Sequence, residues 1–317
     1  MLTHERIRHF PITLFAMVMG VSGLTIAYER AFHLLHVPRL FFLILLAVST
    51  LLFLNHLIVY TVKIIRFPDA VAGEFFHPVR MNFFPSVSIS LLLLSIAYYS
   101  FFPVVGIILW FIGTAIHTIL TLYIFAYWIR NNFEITHSNP AWFIPIVGNV
   151  IVPIVGVDVL GAEAMLFYFS IGIFFWFIFL TVMLYRIIFH HQLAEKFLPT
   201  LFILIAPPAV GFIAYVRITM NYDMFALFLI SIGYFFTVLL LLMGRGFSKL
   251  RFFVSWWAFT FPLDAITLAS LLAYQITGHL FYHITAIVLL FITTTVIAAV
   301  GYKTLYHTAK QEICIQE

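Results

Sequence analysis

The chain is short of the residues that keep a protein in water. Only 9% of its 317 residues are Asp, Glu, Lys or Arg, against about 25% in a soluble domain. What stands in their place is 64% hydrophobic and 19% aromatic, with a mean hydropathy of +1.11. No soluble fold hides that much apolar surface, so the solvent is lipid. Cysteine is nearly absent: Cys314 stands alone, which excludes an intrachain disulfide. There is no phosphate-binding glycine loop, no GxSxG and no HExxH, so nothing resembles a soluble catalytic centre and no enzyme is expected. The formal charge is +4, but the cations fall in short loops between apolar runs. That is a topology signal, and no nucleic-acid partner is expected.

Thirteen histidines raise the question of a metal or haem. His279 and His283 have the i, i+4 spacing of a zinc pair, but no cysteine or close third ligand completes a site. Within apolar runs only His56 and His117 remain, at unequal depths that suit axial haem ligands poorly. No cofactor and no metal are expected.

Ten apolar runs have the length of a membrane helix: 11–29, 40–62, 81–100, 103–129, 142–160, 164–188, 199–220, 225–243, 252–274 and 281–306. They do not alternate as barrel strands would. The whole chain, 1–317, reads as one transmembrane domain. Its basic start carries no small-residue cleavage signal, so the first run is expected to be a retained span. Of the 16 Lys and Arg residues, 13 fall on one side and three, Arg30, Arg39 and Arg217, on the other. The positive-inside rule then puts both termini in the cytoplasm.

Proline divides the runs. Pro85, Pro145, Pro153, Pro207, Pro208 and Pro262 lie well inside runs three, five, seven and nine; the even-numbered runs have none there. Run one carries Gly20 and Gly23 instead. A proline bends a helix and frees the carbonyl four residues back, which in lipid needs another partner or a water-filled cavity. The pattern predicts five hairpins, each with a bent inner helix and a straighter outer one. The odd helices line a passage, with Pro85, Pro153, Pro207, Pro208 and Pro262 as the kinks along it.

"WWAFTFPLDA" (256–265) concentrates the question. A kink at Pro262 turns Phe259 or Phe261 toward the passage, and an aromatic ring in a narrow pore blocks ions by sterics and dewetting. Packing is the ordinary fate of one phenylalanine among 38. Asp264 lies one helical turn beyond Phe261. An intramembrane acid costs about 2.5–3.5 kcal/mol and so faces the bundle interior or water. Proton site, selectivity element and hydrogen-bond anchor for the bend all remain open to it. Arg217, near the outer end of run seven, either snorkels to the headgroups or draws anions to an outer mouth.

Several segments together resemble the tellurite-resistance/dicarboxylate transporter family, which includes TehA of bacteria and the slow anion channels of plant guard cells. "HPVRMNFFP" (77–85) is similar to the His-Pro-x-Arg opening of the family's third helix, with His77 and Arg80 in the motif. "SNPAWFIPIVGN" (138–149), "APPAVGFIAY" (206–215) and "WWAFTFPLDA" resemble its fifth, seventh and ninth helices, and "FAMVMGVSGL" (15–24) its first. The resemblance implies an all-α membrane protein of ten helices in five hairpins, quasi-fivefold, with the odd helices around a central pore. It implies a homotrimer in the cell membrane with one pore per subunit. A phenylalanine on the ninth helix plugs that pore, and the matching residue is Phe261, with Phe259 the alternative. The implied cargo is a small anion; chloride or nitrate, malate, sulfite and tellurite are all ascribed to the family. Asp264 departs from the pattern. It leaves open a second reading, a proton-coupled carrier of a mono- or dicarboxylate, sulfite or tellurite.

Overall fold

In lipid every backbone polar group must be satisfied within the protein, which leaves helices and closed barrels as spanning structures. The computed structural model describes residues 4–247 and 249–315, and among them it is helical without a strand. Ten helices are long and apolar enough to cross a membrane. They are α1 (Ile12–Leu35), α2 (Arg39–Arg66), α3 (Arg80–Tyr99), α4 (Pro103–Arg130) and α5 (Pro140–Leu160). The second half holds α6 (Ala162–Phe189), α7 (Glu195–Thr219), α8 (Met224–Leu242), α9 (Val254–Thr277) and α10 (Leu280–Ala309). Each matches one apolar run of the sequence, with ends shifted by a few residues.

The ends have local causes. Asp223 caps α8 by accepting hydrogen bonds from the N–H groups of Phe225 and Ala226, 3.0 and 3.1 Å away. α1, α7 and α9 each stop on a left-handed residue: His36, Met220 and Gly278.

Odd and even helices have different surroundings. Between 72 and 89% of the apolar core of each odd helix is buried, against 28–39% for the even ones. α1 packs on α3, α3 on α5, α5 on α7, α7 on α9, and α9 back on α1. Each odd helix also packs on the even helix that follows it.

The prolines do not kink continuous α-helices. Every odd helix has a 3₁₀ stretch in its first part and turns α-helical after it. The changeover falls at Phe15 in α1, Pro85 in α3, Ile144 in α5, Ala206 in α7 and Thr260 in α9. Pro85, Pro145 and the Pro207–Pro208 pair occupy the first turn of the α segment that follows. Pro153 opens a second α segment after a break in α5. A first-turn proline lacks only an N–H that has no α-helical partner there, so it costs the helix little.

Candidate functional site

Two cavities lie among the odd helices. The larger is about 370 Å³ and the smaller about 30 Å³. All the helical residues lining either one come from odd helices; the larger also meets the connection at 220–222. The smaller is walled by apolar side chains such as Ala16, Phe83, Val147 and Trp257. The larger is aliphatic along its length, with Arg30 and Arg217 as its charged lining residues. Among the described residues one borders both cavities: Phe261, 5% exposed.

The local sequence places that ring. Residues 254–259 are 3₁₀ and the α segment starts at Thr260, whose hydroxyl donates to the carbonyl of Trp257 at 2.7 Å. Pro262 follows in the first turn and borders the smaller cavity. The adjoining side of α9 is clamped to α1. A Cβ on Gly20 would lie 2.0 Å from Thr260 Oγ1, and one on Gly23 2.6 Å from Asp264 Oδ2. Two glycines thus let the helices approach until Thr260 and Asp264 touch the α1 backbone, which leaves Phe261 facing the cavities.

The other sequence-derived candidates lie elsewhere. Phe259 borders neither cavity; its ring packs on Phe202 at 4.8 Å and Phe247 at 5.7 Å. Asp264 is fully buried against Gly23, lines neither cavity, and accepts no hydrogen bond from the described residues. Pro85, Pro153, Pro207 and Pro208 are buried but line neither cavity. As first-turn residues they set the course of the backbone, while their neighbours form the wall. His77 is exposed, and its Nδ1 accepts from the N–H groups of Val79 and Arg80 at 3.1 and 3.3 Å. It shapes the turn into α3. Arg80 begins that helix, half-buried. Arg217 does reach the larger cavity, where it donates to Asp158 Oδ2 at 2.5 Å and to the Ile154 carbonyl at 3.3 Å.

The break in α5 is braced from α4. Trp110 donates its indole N–H to the carbonyl of Val152 at 2.9 Å. The Pro145 carbonyl receives Nε2 of His117 at 3.1 Å, Thr121 Oγ1 at 3.3 Å and Asn149 Nδ2 at 2.8 Å. The other His117 nitrogen is 2.9 Å from the Ser88 hydroxyl. Both ring nitrogens are engaged, so this buried histidine acts as a hydrogen-bond brace. No three His, Cys, Asp or Glu side chains of the described residues gather as a metal site.

Two features escape sequence reasoning. Lys63 reads there as one more loop cation, yet it is 1% exposed and pairs with Glu74 at 2.9 Å. Its ammonium also donates to the Phe10 carbonyl, and the Tyr60 hydroxyl donates to Glu74. Arg30 reads as a topology marker, yet it lines the larger cavity. Only an expectation that residues 67–76 fold back on α2 would have revealed the first.

Ten helices long and apolar enough to span, with a pair of cavities among them that share the buried ring of Phe261, fit a multi-pass membrane protein of the channel and transporter class. The family model described as the voltage-dependent anion channel, SLAC1, matches residues 9–305, and the chain belongs to this family. It is 29% identical to the S-type anion channel SLAH2 of Arabidopsis thaliana, across 96% of this chain and 60% of that protein. Over 86% of this chain it is 26% identical to an uncharacterized transporter, MJ0762, of Methanocaldococcus jannaschii, covering 87% of that protein. It is 24% identical to a tellurite resistance protein TehA homolog of Haemophilus influenzae, covering 81% of this chain and 79% of that one. The chain spans about half to three-fifths of the length of the plant relatives SLAH2 and SLAH3.

Proposed function

We propose that the chain conducts small anions through a passage among its odd helices, closed at rest by the side chain of Phe261. The observation that carries this reading is the position of that ring as the one residue shared by both cavities. The five hairpins are arranged quasi-fivefold, which is supported by the closed series of odd-helix contacts. Anions are drawn to the wide end by the Arg30 and Arg217 guanidiniums. In the apolar stretch beside Phe261 none of the described residues puts a fixed charge on the way, so helix-end dipoles and backbone groups carry selectivity there. By charge asymmetry both termini are cytoplasmic. The membrane is the cell membrane and the assembly a homotrimer with one passage per subunit, as the family resemblance implies.

Flux of chloride or nitrate from proteoliposomes tests the gate. Removing the ring in Phe261→Ala raises flux at least tenfold. Unchanged flux in a folded variant removes Phe261 from the gate.

A second reading rests on Asp264, buried beside the gate segment without a hydrogen-bond partner among the described residues. In it the chain carries a mono- or dicarboxylate, sulfite or tellurite together with a proton held on Asp264. Uptake is then saturable and stimulated by acid, and Asp264→Asn abolishes the acid stimulation. Normal acid-stimulated uptake by that variant eliminates the role.

A further inference from the structure

The larger cavity is more elaborate than a passage for inorganic ions requires. It is amphipathic along its axis. At one end stand Arg30 and Arg217, with Asn221 and Gln275 beside the same opening; at the other lies the ring of Phe261. Between them the walls are aliphatic, from Leu93, Ile151, Val210 and Leu268 among others. The nearby acids, Glu29 and Asp158, line no part of it. Asp158 is engaged by Arg217. The buried Glu29 sits 3.5 Å from Arg30 Nε and 3.3 Å from His33 Nε2. The terminal nitrogens of Arg30 make no hydrogen bond with the described residues, so a planar pair of donors is left at the rim of an apolar chamber.

A small inorganic anion uses only the rim of such a chamber. Its volume falls within the ~300–1,000 Å³ of small-molecule pockets, which are likewise mostly apolar with a few placed polar groups. A guanidinium binds a carboxylate through parallel N–H bonds, and apolar surface that a ligand buries adds to its affinity in proportion to its area. We infer that the larger cavity is a binding site for amphiphilic organic monoanions. The carboxylate lies at Arg30 and Arg217, and the hydrocarbon body extends along the aliphatic wall toward Phe261. A ligand seated this way occupies the wide half of the passage and blocks it. The blocking step rests on the conduction reading of the preceding section; the binding step does not.

Equilibrium binding to the full chain in lipid nanodiscs separates the two, with 2-naphthoate as probe. One 2-naphthoate binds per chain, at least tenfold more tightly than acetate and than the neutral isostere 2-naphthamide. Arg30→Gln, a rim substitution outside the packed core, weakens naphthoate binding at least tenfold. Leu272→Gln, on the wall, weakens naphthoate but leaves acetate unchanged. Equal binding of naphthoate and naphthamide overturns the proposal, as does naphthoate binding indifferent to both substitutions. Anion flux from proteoliposomes is measured in parallel, and external naphthoate lowers it. Naphthoate binding without any anion flux upholds the site and defeats conduction; flux without naphthoate binding does the reverse.

Discussion

The odd and even helices answer the same solvent in opposite ways. The even helices are apolar all round and most of their surface meets lipid, with Ile119, Leu122 and Phe174 each more than 60% exposed. The odd helices are more deeply buried, yet they carry much of the hydroxyl and small-residue content. Ser86, Ser88, Ser90 and Ser95 in α3 are each 0% exposed, as are Thr260, Thr267 and Ser270 in α9. Most of these hydroxyls donate to a carbonyl three or four residues back in their own helix, as Ser88 does to Pro85 and Thr267 to Leu263. The lesson is that burial in a membrane protein does not track hydrophobicity. Lipid tails are as apolar as leucine, so close packing and satisfied polar groups hold the inside together.

The sharpest challenge to this contrast uses a buried residue of an even helix. Lys63→Met strips Glu74 of its ion-pair partner and costs about 3–5 kcal/mol. Thermal melting in detergent reads this loss, and Lys63→Met combined with Glu74→Gln recovers most of it. A single variant as stable as the parent would show that the pair is decoration.

Next comes the α4–α5 brace. A Cβ on Gly148 would lie 2.0 Å from His117 Cε1, in a ring fixed by bonds to Pro145 and Ser88. Gly148→Ala forces one helix off the other at about 2–3 kcal/mol, visible as a lowered midpoint in an SDS unfolding titration. His117→Ala, combined with it, opens the space again and offsets part of the cost.

Leu92 and Leu122 then form a matched pair, one in an odd helix and one in an even helix. Leu92 is 1% exposed and Leu122 65%. In lipid the transfer term largely cancels, leaving the cavity term, so Leu92→Ala costs about 2 kcal/mol. Leu122→Ala stays within about 0.5 kcal/mol. Equal effects in the same unfolding titration would erase the distinction between inner and outer helices.

Much of the architecture was legible because length and apolarity alone define a span. The proline pattern also separated odd helices from even ones, and it did so correctly for burial. It could not report where in a helix the proline acts. Pro85 and Pro207 sit where 3₁₀ gives way to α, and a proline in a first turn looks the same in sequence as one in a kink. "WWAFTFPLDA" with the family resemblance singled out Phe261 over Phe259 as the candidate, but which of them meets a cavity depends on the contact of Gly20 and Gly23 with Thr260 and Asp264, which joins residues some 240 positions apart. The aliphatic walls of both cavities were not legible at all. Ile151 and Leu93 look like any other apolar residue in a chain that is 64% hydrophobic.

The changeover from 3₁₀ to α has one more consequence. A 3₁₀ helix advances about 2.0 Å per residue with 3.0 residues per turn, against 1.5 Å and 3.6 for α. It is therefore a slimmer, longer rod. The small cavity draws Phe83, Ile203, Trp257 and Ala258 from these slim stretches and the rest of its wall from the opening turns of the α segments that follow. The large one draws its helical lining from the α-helical parts, as at Val210 and Leu268. The smaller cavity therefore straddles the changeovers and the larger lies wholly beyond them, so the change of thread runs between the two.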